Sequence, residues 1–137
     1  MRRWMLIALC MLSLPCVASP GPAERAEAFL TAIGHGDPDK AFDDLFAGSG
    51  IADRRPEQVE TLRSQARAAL ELYGKPIGFE KVREENLSRS LKRLVYVQKF
   101  ARYPMVWEIY FYRATTDWAV NQIAFNDQVG GLVGAKQ

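Results

Sequence analysis

Hydrophobic residues recur at helical spacing in the region that follows residue 20. One face of a helical wheel collects the apolar residues Ala26, Phe29, Leu30 and Ile33, and charged residues occupy the opposite side. Such a stripe is typical of a helix with one buried face. The pattern predicts a first helix over residues 23–33.

Two further helices are predicted from their start signals. Asp37 is suited to cap a helix, and Pro38 favours the first helical position. Pro56 opens the longest periodic run, which ends before Gly74 and predicts a third helix. The residues expected to face inward are Ala41, Phe42, Leu45 and Phe46 in the second helix, and Val59, Leu62, Ala66, Ala69, Leu70 and Tyr73 in the third.

After residue 74 the pattern changes to β-branched and aromatic residues in four segments with short polar links. Such segments are typical of strands, and links this short join antiparallel neighbours. The sequence therefore predicts an α+β fold in which three N-terminal helices pack on one face of a four-stranded antiparallel meander. The predicted strands are Ile77–Asn86, Leu91–Ala101, Met105–Ala114 and Trp118–Asp127.

Alternation along the last two strands predicts which side chains face the helices. The inward set is expected to be purely apolar, and the outward set to be polar and aromatic. An aromatic face of this kind favours a partner, and we expect a homodimer through the sheet with Tyr110 and Tyr112 at its interface. The inward set is Trp107, Ile109, Phe111, Ile123 and Phe125, and the outward set is Glu108, Tyr110, Tyr112, Val120, Gln122 and Ala124.

The first 18 residues have the three parts of a secretory signal peptide. Arg2 and Arg3 form a basic start, an apolar run from Met5 to Leu14 follows, and small residues precede Ser19. The run is shorter than the roughly 20 residues of a membrane-spanning helix. We expect cleavage after Ala18, a periplasmic or secreted protein, and no membrane insertion of the mature chain.

Removal of this segment changes the cysteine content and the net charge of the mature chain. Cys10 and Cys16 both lie within it, so no disulfide is expected in the mature domain. Lipidation of Cys16 is the alternative, but Pro15 stands where a small residue is required. Loss of Arg2 and Arg3 takes Lys plus Arg from 18 to 16, against 16 Asp plus Glu. A neutral domain without a basic stripe predicts no nucleic-acid partner.

The stretch FLTAIGHGDPDKAF, followed by strand segments such as LVYVQKF, WEIYFYR and WAVNQIAF, resembles the nuclear transport factor 2-like (cystatin-like) superfamily. The resemblance covers most of residues 23–127. It implies a cone-shaped domain, residues 19–129, with a curved sheet and a pocket between sheet and helices. The glycine-rich residues 130–137 are expected to form a flexible tail. It implies no particular reaction, because the superfamily includes isomerases, dehydratases and non-enzymatic binding domains.

Enzymes of that superfamily commonly place an acid or a histidine deep in the cone as a general base. His35 is expected in a solvated loop, and Asp37 is better explained as a helix cap. Asp43 and Asp44 are expected on a solvated helix face. In the strands Glu80 and Glu108 are candidate buried acids, although pairing across strands with Arg93, Lys99 or Arg113 is the commoner outcome.

Tyr73, Trp107 and Asn121 are the predicted ligand-binding residues, because aromatic walls and an amide are typical of small-molecule pockets. No catalytic residue, metal ligand or cofactor is assigned. Two functions stay open. The favoured one is an exported, non-catalytic module that binds an unknown small molecule or protein. The alternative is a small cofactor-independent isomerase or dehydratase that uses a buried acid.

Overall fold

The computed structural model describes residues 18–132, so residues 1–17 of the predicted signal peptide, with both cysteines, and residues 133–137 of the predicted tail lie outside the described residues. The predicted α+β architecture is confirmed, with helices followed by an antiparallel sheet. The elements are α1 (Pro22–Gly34), α2 (Pro38–Phe46), α3 (Ile51–Arg54), α4 (Pro56–Tyr73), β1 (Pro76–Asn86), β2 (Leu91–Phe100), β3 (Pro104–Tyr112), β4 (Ala119–Asn126) and a 3₁₀ turn (Val129–Leu132).

Local capping explains where the first helices begin. The backbone N–H of Gly21 donates to the Glu24 carboxylate at 3.1 Å before α1. Asp37 caps α2 as predicted, because its carboxylate accepts from the Lys40 backbone N–H at 3.1 Å. These bonds satisfy amide groups that have no partner within the helix. The one-turn helix α3, which the sequence pattern did not predict, fills the link between α2 and α4.

The sheet is a meander with strand order β1-β2-β3-β4, as predicted. The register shifts between Lys81 and Arg83 in β1, and between Tyr110 and Phe111 where β3 pairs with β4. The second shift places Val120 opposite Phe111, on the face that packs against the helices, and Val120 is buried. The prediction that Val120 faces outward is therefore wrong, because an extra residue in a strand reverses the alternation.

The core lies between α1, α2 and the inner face of the sheet. Trp107 is at its centre, with ring centroids 4.9 Å from Phe29 and 4.6 Å from Phe125. Phe29 also packs edge-on against Phe42 of α2 at 5.1 Å. These rings join two helices to two strands, and edge-on aromatic contacts stabilise such a core beyond the area that they bury.

The outer face of the sheet mixes charged and aromatic residues with Val95, Val97 and Val106. Arg93 bridges Glu85 and Glu108 from the middle of three strands, at 2.8 and 2.9 Å. Tyr110 lies in the same layer, because its hydroxyl donates to Glu108 at 3.4 Å and its ring centroid is 6.0 Å from the Arg93 guanidinium. Tyr112, at the end of β3, is 48% exposed. The two predicted interface tyrosines therefore differ in solvent exposure. Neighbouring residues of the same chain partly cover Tyr110, whereas Tyr112 is exposed.

Candidate functional site

A cavity of about 720 Å³ lies between α3, the first turns of α4 and the strand β4. Its size is within the range of small-molecule sites. β4 is an edge strand, so its far side carries no further strand of the described sheet. The lining residues come from the end of α2 and the link after it, from α3, from the start of α4, and from the β3–β4 region. They are Phe46 and Ser49; Ile51 and Arg54; Arg55, Gln58, Val59 and Leu62; and Tyr112, Ala119, Val120, Asn121, Gln122 and Ile123.

The lining has a deep apolar part and an outer polar part. Phe46, Val59, Val120 and Ile123 are each at most 8% exposed, so they form the interior wall. The exposed members carry guanidinium, amide and phenol groups, and they lie towards solvent. This arrangement suits a ligand with an apolar body and a polar group at one end.

Two arginines are the charged groups of this cavity. Arg54 ends α3 and Arg55 precedes α4, and neither side chain makes an ion pair or a side-chain hydrogen bond with the residues that the structure describes. The Arg54 guanidinium folds back towards Gly50, where an added Cβ would lie 3.4 Å from Nη2. No aspartate or glutamate is among the lining residues. The cavity is therefore cationic at its mouth.

The N-terminal end of α4 adds little to this positive character. Pro56 has no N–H, and the backbone N–H groups of Gln58 and Val59 donate to the Arg55 carbonyl at 3.1 and 3.2 Å. Glu57 lies in the same first turn, where a carboxylate suits the helix dipole. The positive charge at the mouth therefore comes from the two arginine side chains, and Gln58 lines the cavity beside them.

The three predicted ligand-binding residues are not brought together. Asn121 lines the cavity at the bulge of β4. Trp107 is fully buried, and its indole N–H donates to the Gln98 side chain at 2.9 Å. Tyr73 packs edge-on against Phe100 and Tyr103 at the other end of α4. Core packing accounts for Trp107 and Tyr73, so Asn121 alone stays a candidate ligand-binding residue.

The candidate acids lie outside the cavity and are already paired. Glu80 is exposed on β1 and binds Lys99 at 2.7 Å. Glu108 accepts two hydrogen bonds from Arg93, at 3.2 and 2.9 Å, on the outer face of the sheet. The expected cross-strand ion pairs are confirmed for both. Neither carboxylate faces a space in which a substrate would meet a base.

His35 lies at the end of α1 and is exposed, as predicted. It lines a cleft of about 300 Å³ between α1 and β1, together with apolar residues and the buried Gln98. No carboxylate lines this cleft to orient the imidazole. Asp43 and Asp44 are on a solvated face of α2, where they bind Arg63 and Lys40, both at 2.5 Å.

Among residues 18–132, no group of three or more potential metal ligands occurs. None of the helices in this part of the chain is both long and apolar enough to cross a membrane. The arginine pair is the feature that sequence analysis missed. The sequence gives no clear signal for it, because Asp53 and Glu57 flank the two arginines and would be expected to neutralise them.

Comparison with known proteins gave no match to a family model, a curated protein or a solved structure. The resemblance to the nuclear transport factor 2-like superfamily therefore stays a prediction.

Proposed function

We propose that this chain is an exported, non-catalytic binding module of the nuclear transport factor 2-like type, and that its ligand site is the cavity between α4 and β4. The observation that carries the proposal is the lining itself. It combines buried apolar residues with exposed amides and arginines, and it contains no carboxylate or histidine that would serve as a general base. The acids considered for an enzyme are engaged elsewhere in ion pairs.

Filling the cavity tests this proposal. Asn121 is exposed at the bulge of β4, so Asn121→Trp introduces a large ring into the cavity without removing a core contact. The probe is N-phenyl-1-naphthylamine, a neutral aromatic amine whose fluorescence rises in apolar surroundings. We expect a saturable one-to-one titration with the wild-type protein and a loss of binding in Asn121→Trp.

The matched control is Asn126→Trp. Asn126 is exposed on the same strand but does not line the cavity. It should bind the probe as the wild type does. Probe binding that does not saturate in the wild type, or that is equal in both tryptophan variants, would rule out this cavity as the ligand site.

A further inference from the structure

The arginine pair at the mouth of the cavity differs from those arginines of the described chain that bind carboxylates. Arg63 and Arg67 bind carboxylates of α2, and Arg93 binds two carboxylates in the sheet. Arg54 and Arg55 have no such partner among the described residues, although two adjacent guanidinium groups repel each other. Asp53 and Glu57 flank the pair in sequence, but neither forms an ion pair with it within residues 18–132, and neither lines the cavity.

The position of the pair is fixed by the chain around it. Gly50 has a positive φ of 68° and begins the single turn α3. The backbone N–H of Arg55 donates to Ile51 at 2.8 Å, and Pro56 then starts α4. Two adjacent helix ends therefore hold both arginines beside the apolar wall formed by Val59 and Val120.

We infer that the cavity binds an amphipathic organic anion, with its apolar body against Val59 and Val120 and its carboxylate or sulfonate at Arg54 and Arg55. This inference rests on the proposed function and adds the chemical class of the ligand. Guanidinium groups bind such oxyanions through two parallel hydrogen bonds, and the amides of Gln58 and Asn121 supply further donors. A neutral apolar ligand would leave the arginines without a partner.

A pair of probes that differ by one anionic group tests the inference. 8-Anilinonaphthalene-1-sulfonate carries a sulfonate, and N-phenyl-1-naphthylamine has the same ring system without it. In the double variant Arg54→Gln with Arg55→Gln, we expect the Kd of the sulfonate to rise about tenfold, which corresponds to the loss of about 1.4 kcal/mol. The Kd of the neutral probe should stay within about twofold, which also shows that the variant is folded.

Two controls separate charge from structure. Arg54→Lys with Arg55→Lys keeps both charges and should retain most of the sulfonate affinity. Arg89→Gln removes an exposed arginine in the β1–β2 turn, outside the cavity, and should change neither Kd. If both probes bind the wild type and the Arg54→Gln, Arg55→Gln variant equally, the inference is wrong while the proposed function stands. If neither probe binds the wild type, both are wrong.

Discussion

Gln98 is the buried polar residue of the described core, and its side-chain amide joins three elements. Its Nε2 donates to the Leu30 carbonyl of α1, and its Oε1 accepts from the Trp107 indole of β3, both at 2.9 Å. A buried amide is tolerated when its partners are present, because its desolvation is then offset by hydrogen bonds. Gln98 thereby sets the position of α1 on the sheet.

Replacing this amide by an apolar side chain should therefore be costly. In Gln98→Leu the Trp107 indole N–H loses its acceptor, and a buried unsatisfied donor costs about 1–3 kcal/mol. We expect urea denaturation to show a loss of this size in the free energy of unfolding. Gln122→Leu changes an exposed amide and should alter stability by less than about 0.5 kcal/mol. Equal losses in the two variants would contradict a special role for Gln98.

Arg25 illustrates how a buried cation differs from the arginines of the cavity. Its guanidinium donates to the carbonyls of Trp118 and Leu45, both at 2.7 Å, and of Ala47 at 3.0 Å. Burial lowers the pKa of Arg25 from its ordinary value. Two of the acceptors lie at the end of α2, where the helix dipole favours a cation. The Arg25 side chain thus links α1 to the end of α2 and to the start of β4 through these hydrogen bonds.

At the scale of elements, the β1–β2 hairpin is stabilised by a charge cluster around Glu84. The Glu84 carboxylate accepts from Lys81 at 2.7 Å and from Lys92 at 2.8 Å. These hydrogen bonds, that of Lys81 first, lower the pKa of Glu84 from 4.5 to about 2. A carboxylate whose pKa is lower in the folded protein stabilises the fold above its unfolded pKa, and this contribution is lost as the pH falls.

The cluster predicts a specific dependence of stability on pH. Between pH 5 and 2 the wild type should lose about 0.2–1 kcal/mol beyond the loss in Glu84→Gln, because partly exposed ion pairs make a small contribution. Urea denaturation at several pH values across this window measures the difference. Glu71→Gln is the control, since Glu71 is exposed on α4 and makes no ion pair within residues 18–132. Parallel pH profiles of wild type and Glu84→Gln would disprove the prediction.

The sequence pattern identified every long element, because the long helices and the strands β2, β3 and β4 each bury apolar residues at regular spacing. β1 has no fully buried residue and was predicted from its strand-forming composition. The pattern missed α3, since four residues are too few to display a helical period. It misplaced Val120, because the bulge beside Asn121 leaves no sign in the spacing of apolar residues. The position of the cavity could not be predicted from the sequence pattern either, because it depends on how α4 lies beside β4. Asn121, which was predicted to bind a ligand because an amide beside aromatic walls is typical of a pocket, lines this cavity, and its ligand-binding role stays a prediction.

At the scale of the whole molecule, a homodimer through the outer face of the sheet stays a prediction. Arg93 and Glu108 are already hydrogen-bonded to each other, so a partner that covers this face would not leave either charge unpaired. Tyr112 and the half-buried Tyr110 offer apolar area beside this pair. Burial of such area stabilises association by about 25 cal/mol per Å².

Charge insertion on this face tests the dimer. We expect sedimentation equilibrium to show a dimer for the wild type and a folded monomer for the double variant Tyr110→Glu with Tyr112→Glu. Truncation of one central aromatic residue at an interface typically costs about 2 kcal/mol or more of binding free energy. The added carboxylates would also repel each other across the two-fold axis of the dimer. The matched control, Ser64→Glu with Ala68→Glu, adds the same charge on the exposed side of α4 and should stay dimeric. Because Tyr112 also lines the cavity, binding of N-phenyl-1-naphthylamine is measured separately on Tyr110→Glu alone. A wild-type protein that is monomeric at high micromolar concentration would exclude the dimer, and it would leave Tyr112 as part of the ligand site only.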